Sequence, residues 1–183
     1  MADRTRGITY FYPKAESTGY SPELTEKRFS VLRQLNFKSV LDIGSGMCNL
    51  DKWLKQNEYN VKYDAVDIRE DALALCDCDT FTEVPKRRKY DVVCLFGTVT
   101  YNIDEDKEGN RQLLKDLLEV AAKSSKKYIV FTVVKREVVQ GLSALRLVSY
   151  TRKEVEALAS SLGKYIVIDN VDPDEYIIIV TKD

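Results

Sequence analysis

The stretch Val40-Leu41-Asp42-Ile43-Gly44-Ser45-Gly46-Met47-Cys48-Asn49-Leu50 decides how this chain is read. Ser39 to Ile43 is a short apolar run of the kind buried in a parallel sheet, and Gly44-Ser45-Gly46 ends it in a turn. Leu50, Trp53 and Leu54 then recur at helical spacing over about Asn49 to Gln56. A strand thus passes through a glycine turn into a helix N-terminus, whose unpaired N–H groups and dipole favour a carboxylate or phosphate. Glycine at such a turn lets a ligand come close to the backbone.

Working outward, Tyr63 to Ile68 reads as a second strand, with Asp67 at its tip, placed to accept hydrogen bonds from ribose hydroxyls. Tyr90 to Phe96 (YDVVCLF) and Tyr128 to Val134 are nearly continuous apolar runs, the pattern of strands buried on both faces. Arg111 to Ser124 lies between them and is amphipathic through Leu113, Leu114, Leu117, Leu118 and Ala121. Ser21-Pro22-Glu23 pairs an N-cap with a proline at the first helical position, and Leu24, Val31, Leu32 and Leu35 carry that helix to about Gln34. The alternation is βαβ, which predicts an α/β fold: a mostly parallel sheet with helices on both faces.

The C-terminal third changes pattern. Thr151-Arg152-Lys153-Glu154 is a capping box for a helix with face Val155, Leu158, Ala159 and Leu162, stopped by Gly163. Tyr165 to Asp169 and Tyr176 to Thr181 follow as strands separated by six residues. A connection that short cannot carry a parallel crossover, so an antiparallel hairpin closes the sheet.

Composition bounds the chemistry. The 183 residues hold 28 Lys plus Arg against 29 Asp plus Glu, a formal charge of −1, with 44 % hydrophobic residues. No basic excess marks a protein living by its grip on phosphate backbones. There is no histidine, which excludes Ser-His-Asp and Cys-His catalysis and every His-ligated metal site; no metal is expected. The length and the lack of linkers predict one domain over 1–183, with an N-terminal arm and helix (1–38) and a ligand-binding core (39–183). The start MADRTRGITYFYPK lacks the apolar run of a secretory signal, and no stretch suits a membrane span, so a soluble, cytoplasmic protein is expected. Cys48, Cys76, Cys78 and Cys94 are expected to be reduced, mostly buried thiols.

Together these features predict a nucleoside-containing ligand at the carboxyl ends of the strands, and the turn narrows which one. A dinucleotide fingerprint needs glycine where Asn49 stands, and no phosphate loop G-x-x-x-x-G-K-[ST] is present. Asp42, just before the turn, is awkward beside a pyrophosphate but suits an ammonium group. From about Ser39 onward, through LDIGSGMCNL, YDAVDI, YDVVCLFG, KYIVFTVV and the closing hairpin, the sequence resembles the class I S-adenosylmethionine-dependent methyltransferases, with their Rossmann-like sheet.

That resemblance implies S-adenosyl-L-methionine as cofactor. Asp42, Gly44, Ser45 and Gly46 would line its methionine end, Asp67 with Ile68 its ribose, and Phe96 with Gly97 the sulfonium. An acidic residue near the adenine is expected at Asp79-Thr80, with Asp77 second. Cys48 stands where the family usually has a third glycine, and the interval from Asp67 to Asp79 implies a shortened or missing helix. Methyl transfer relies on positioning and water exclusion, so no obligatory catalyst follows; Thr98, Tyr101, Asn102 and Asp104 are the acceptor-side candidates. Tyr10 to Tyr20 could form a lid. The implied activity is methyl transfer to a small molecule or to an exposed group of a larger one. The alternatives are a non-catalytic cofactor-binding subunit or regulator of a partner protein, or an RNA or protein methyltransferase. LFGTVTYN lacks the D/N-P-P-Y/F signature of amino-directed nucleic-acid enzymes, so neither sequence-specific DNA binding nor a membrane partner is expected.

Overall fold

A computed structural model describes residues 22–101, 106–140 and 146–182. Tyr10 to Tyr20, Asn102 and Asp104 lie outside the described residues. Helix α1 (Pro22–Ser30) starts at its proline and tightens into a 3-10 turn over Val31–Gln34. There follow β1 (Ser39–Ile43), α2 (Asn49–Gln56), β2 (Lys62–Val66), the single turn α3 (Glu70–Leu73), β3 (Asp79–Phe81), β4 (Tyr90–Leu95) and α4 (Lys107–Ser124). The chain continues through β5 (Ser125–Lys135), β6 (Ser149–Tyr150), α5 (Arg152–Ser160), β7 (Lys164–Ile168) and β8 (Glu175–Thr181).

The strands form one sheet of order β3-β2-β1-β4-β5-β8-β7, with β6 pairing β5 off that path. Pairs among β1 to β6 are parallel; β8 runs antiparallel to both β5 and β7. The hairpin is therefore present, and its second strand inserts between β5 and the first. Tyr128↔Thr181 through Val134↔Glu175 set the register, so Tyr176 to Val180 lie buried against the long β5. The direction of winding reverses between β1 and β4, the switch point where open α/β sheets bind ligands outside the carboxyl ends of their strands.

Alternate residues of the central strands feed two cores. Val40, Val92 and Cys94 join Leu32, Trp53 and Leu54 under α1 and α2. Leu41, Val93 and Leu95 join Leu114 and Leu118 of α4 and Val155 and Ala159 of α5 on the other face. Each helix buries one stripe, as the 3.6-residue spacing of its apolar residues requires. Two caps fix helix starts near the carboxyl edge. Asp106 accepts from Gly109 N at 2.8 Å to open α4, and Thr151 with Glu154 forms the capping box of α5.

The expected shortening between Asp67 and Asp79 takes the form of α3, one turn long. The β3 to β4 connection, residues 82–89, carries no helix. Arg88 fastens it, donating to Asp64 at 2.7 Å and lying 4.9 Å over the Phe81 ring. No helix among the described residues is long and apolar enough to cross a membrane.

Candidate functional site

The glycine turn is built against two neighbours. Gly44 N and Ser45 N both donate to Val66 O, at 2.7 and 3.1 Å, which binds the end of β1 to the end of β2. Gly44 has φ +77°, and a Cβ there would stand 2.5 Å from Thr98 Cγ2. Thr98 is held in place by donating its hydroxyl to Ile43 O at 2.6 Å. Gly46 has φ +52°, but a Cβ there would meet nothing within 4 Å. The first glycine therefore serves packing, and the second keeps space open over the turn.

Asp67 clamps the turn from the β2 side. Its Oδ2 accepts from Gly46 N at 2.8 Å and its Oδ1 from Arg69 N at 2.9 Å. Each carboxylate oxygen retains a lone pair for a further donor. Asp42 sits behind the turn, 3 % exposed, accepting from Tyr63 Oη at 2.7 Å through Oδ2. Its Oδ1 has no hydrogen-bond partner among the described residues, and neither has Ser45 Oγ. Burial pushes Asp42 up to about 7, the Tyr63 bond pulls it back, and Asp67 and Asp51 add to the rise. A buried carboxyl poised at neutral pH with one oxygen unclaimed fits a cationic ligand group.

These groups face a common cavity of about 690 Å³. Asp42, Gly44, Ser45, Gly46, Asp67 and Ile68 line it, with Ile68 51 % exposed despite being aliphatic. Phe96, Gly97, Thr98 and Tyr101 line it from the β4 side, where Gly97 N donates to Thr132 Oγ1 at 2.9 Å and so fixes that loop on β5. Asp79 and Thr80 are not brought to the cavity. Asp79 pairs in register with Asp64, near the amino end of β2, and lies 3.6 Å from Arg88 there. Three residues along a strand is roughly 10 Å, so Asp79 is that far below the level of Asp67. Asp77 does not line the cavity either: it meets Lys55 at 3.7 Å.

Residues that sequence reasoning missed fill two walls. Thr82, Glu83 and Val84 follow the carboxyl end of β3, level with Asp67, and line the cavity. The alternation Thr80-Phe81-Thr82 was the available signal, because it makes Asp79 the start of a strand rather than its tip. Helix α1 supplies Thr25, Arg28 and Phe29. Phe29 packs edge-on to Phe96 at 5.1 Å and to Trp53 at 6.0 Å. Arg28 is buried between Asp172 at 3.1 Å and Glu175 at 2.9 Å, partners far along the chain that no local pattern shows.

The cysteines are also placed otherwise than expected. Cys48 and Cys76 form a disulfide across a sequence separation of 28, and only Cys78 and Cys94 are free. The β1–α2–β2–α3 path folds back on itself and brings Cys76 beneath the glycine turn, a meeting that cysteine spacing alone does not encode. Cys78 Sγ lies 3.7 Å from Cys48 Sγ.

No protein-family model and no curated protein matches the sequence. Solved structures do match the fold. A candidate O-methyltransferase from Nostoc punctiforme PCC 73102 superimposes with TM-score 0.66 at 14 % identity, covering 86 % of this chain; the chain spans 55 % of that protein's length. The methyltransferase domain of bacterial CtHen1 gives 0.62 at 19 % identity, covering 87 % of this chain and 100 % of that one. The plantazolicin methyltransferase BpumL, solved with a pentazolic desmethylPZN analog and SAH (S-adenosylhomocysteine), gives 0.66 at 14 % identity, covering 100 % of this chain and 92 % of that one. With its 3-2-1-4-5 parallel strands and inserted antiparallel strand, the chain has the Rossmann-like fold of the class I S-adenosylmethionine-dependent methyltransferases.

Proposed function

We propose that this protein binds S-adenosyl-L-methionine in the cavity over the glycine turn and transfers its methyl group to an acceptor. One observation carries the reading: the buried, half-satisfied Asp42 and the turn-clamping Asp67 flank the Gly44–Gly46 backbone in a single cavity. That spacing of a cation acceptor, a close-approach backbone and a hydroxyl acceptor matches an ammonium-bearing nucleoside and no pyrophosphate. The neighbour crystallised with SAH supports it.

The bound cofactor supplies a methyl group already activated on a sulfonium. The chain's own residues have the tasks of binding and exclusion. Asp42 Oδ1 takes the ammonium, Asp67 the ribose hydroxyls, and Ile68 and Val84 offer apolar surface to the base. Glu83, on the cavity wall level with Asp67, accepts from the adenine amino group in place of Asp79. Phe29 and Phe96 keep water from the side nearest α1. Thr98 spends its hydroxyl on Ile43 O and acts as a positioning residue; Tyr101 is the acceptor-side group of the cavity. The acceptor is a small molecule or an exposed group of a larger one.

Calorimetric titration with S-adenosylmethionine and S-adenosylhomocysteine tests this directly. Binding of either, abolished in Asp67→Ala, is the expected result. No heat with both, together with binding of a dinucleotide, would sink it. Turnover of methyl-labelled cofactor against metabolite and RNA panels then separates an enzyme from a binding subunit.

A further inference from the structure

Three sulfurs converge beneath the glycine turn, those of Cys48, Cys76 and Cys78, all within 4.8 Å of one another. Cys48 is part of the turn, 1 % exposed, and holds φ +55°, a left-handed conformation that a residue with a Cβ adopts at a cost. Cys76 closes the segment that begins at Asp67, with its N–H donating to Leu73 O at 3.0 Å. Asp67, Ile68, Arg69 and Ala72 of that segment are cavity wall. The Cys48–Cys76 bond therefore ties the glycine turn to the segment that begins at Asp67, two stretches that line the same cavity.

We propose that this bond is a redox latch on the cavity: a dithiol reductant opens it, and the open form holds the nucleoside ligand less tightly. The inference rests on the reading of the cavity as a cofactor site. With the latch closed, Cys48 is kept in its left-handed conformation and the turn is presented ready for the ligand. With it open, that conformation relaxes and the ligand must order the turn as it binds.

The chemistry needs one external partner. Cys48 is buried, whereas Cys76 and Cys78 are partly exposed. A thiolate of the reductant attacks Cys76 Sγ, forming a mixed disulfide as the Cys48–Cys76 bond breaks. Cys48 leaves with the electron pair at the N-terminus of α2 and takes a proton from solvent. The second thiolate of the reductant then displaces Cys76, which is protonated in turn, and the reductant departs as an internal disulfide. Two electrons pass to the protein, and the reverse sequence closes the latch.

Cys78 offers an internal exchange without net oxidation: its thiolate attacks Cys48 Sγ, 3.7 Å away, and displaces Cys76 as a thiolate. Burial, with Asp51 nearby, pushes the Cys78 thiol up to about 11. It therefore stays protonated near neutral pH, which slows this exchange.

The test is calorimetry with S-adenosylhomocysteine on protein purified without reductant, on the same protein after dithiothreitol, on Cys78→Ser, and on the double variant Cys76→Ser with Cys78→Ser. Thiol titration under denaturing conditions should count two free thiols before reduction, Cys78 and Cys94, and all four cysteines after it. Affinity should fall roughly tenfold on reduction. The double variant Cys76→Ser with Cys78→Ser, which leaves Cys48 no neighbouring thiol, should bind as weakly without reductant and ignore dithiothreitol, while Cys78→Ser alone should keep both tight binding and the response. Unchanged far-UV circular dichroism distinguishes a loosened turn from an unfolded chain. Equal affinity in the two states, or four free thiols at the outset, overturns the latch and leaves the cofactor reading intact. No heat in either state overturns both. A reduced protein that regains tight binding with one equivalent of zinc assigns the three sulfurs to a metal and overturns the latch as well.

Discussion

Tyr63 donates its hydroxyl to Asp42 Oδ2 at 2.7 Å, between neighbouring strands in which Val40 pairs with Tyr63 and Asp42 with Ala65. The bond occupies one carboxylate oxygen and leaves the other, Oδ1, without a partner. Burial pushes Asp42 up to about 7 and Tyr63 opposes the rise by stabilising the charged form. Above that value the group is an anion and holds an ammonium; below it the group is neutral and does not. Affinity for S-adenosylhomocysteine should therefore climb between about pH 6 and pH 8 and then level off. Tyr63→Phe removes the opposing bond, moving the rise to higher pH and lowering affinity at pH 7. Calorimetry across that range checks both, and a flat profile contradicts them. Stability of the free protein runs the other way. The folded value lies above the unfolded 3.8, so what Asp42 contributes is present below about pH 4 and is lost as the pH rises to 7.

Gly44 and Gly46 share a left-handed backbone but should fail differently. Gly44→Ala drives a Cβ to 2.5 Å from Thr98 Cγ2 and adds left-handed strain, a loss of roughly 2–4 kcal/mol of stability. Gly46→Ala has the strain without the clash, about 1–2 kcal/mol. Its methyl group would intrude on the ligand, so its larger effect should be on affinity, roughly tenfold or more. Urea denaturation beside calorimetry separates the two; equal stability losses would contradict this division.

The proposed adenine contact sets two acids apart. Glu83→Gln should weaken binding about tenfold, the value of one charge-assisted hydrogen bond. Asp79→Asn, at the opposite end of β3, should leave affinity unchanged. A loss in Asp79→Asn alone, seen in the same titration, would restore the acid that the sequence pointed to.

Much of the architecture was legible because it rests on short-range pattern. Apolar runs such as YDVVCLF are strands for want of any polar face, and the six residues between the last two strands leave room only for an antiparallel return. The glycine turn, its Asp42 and the Asp67 at the next strand tip were legible for the same reason: each is fixed by position relative to a strand end. What escaped depends on register or on contacts between distant segments. Asp79 falls outside the cavity because three residues of strand decide which end of a sheet an acid occupies. Arg28 was passed over because its partners Asp172 and Glu175 come from the far hairpin, and Cys48 was read as a free thiol because Cys76 reaches it only through a crossover.

The disulfide should also be measurable as stability. Closing a loop of sequence separation 28 restricts the unfolded chain by roughly 3–4 kcal/mol. Dithiothreitol should lower the unfolding free energy by about that amount, and the double variant Cys76→Ser with Cys78→Ser should match it. Both should remain folded at 25 °C, since domains of this size hold about 5–15 kcal/mol in reserve. A urea midpoint indifferent to reductant would show that the bond constrains nothing.

Arg28 gives the sharpest test of how α1 is held over the cavity. Its guanidinium is buried with two carboxylates, Asp172 and Glu175, each almost wholly removed from water. Lys135 stands beside them but spends its Nζ on the carbonyls of Asp169, Asp172 and Pro173. Arg28→Met would therefore remove the guanidinium from between two buried carboxylates, a loss of roughly 3–5 kcal/mol. Arg28→Lys keeps the charge but not the planar fork that reaches both carboxylates, so it should recover part of that loss. Urea midpoints of the wild type and the two variants check this: the lysine variant should fall between the other two. Equal losses in both variants would mean that packing of the guanidinium, rather than its charge, fastens α1 to the sheet.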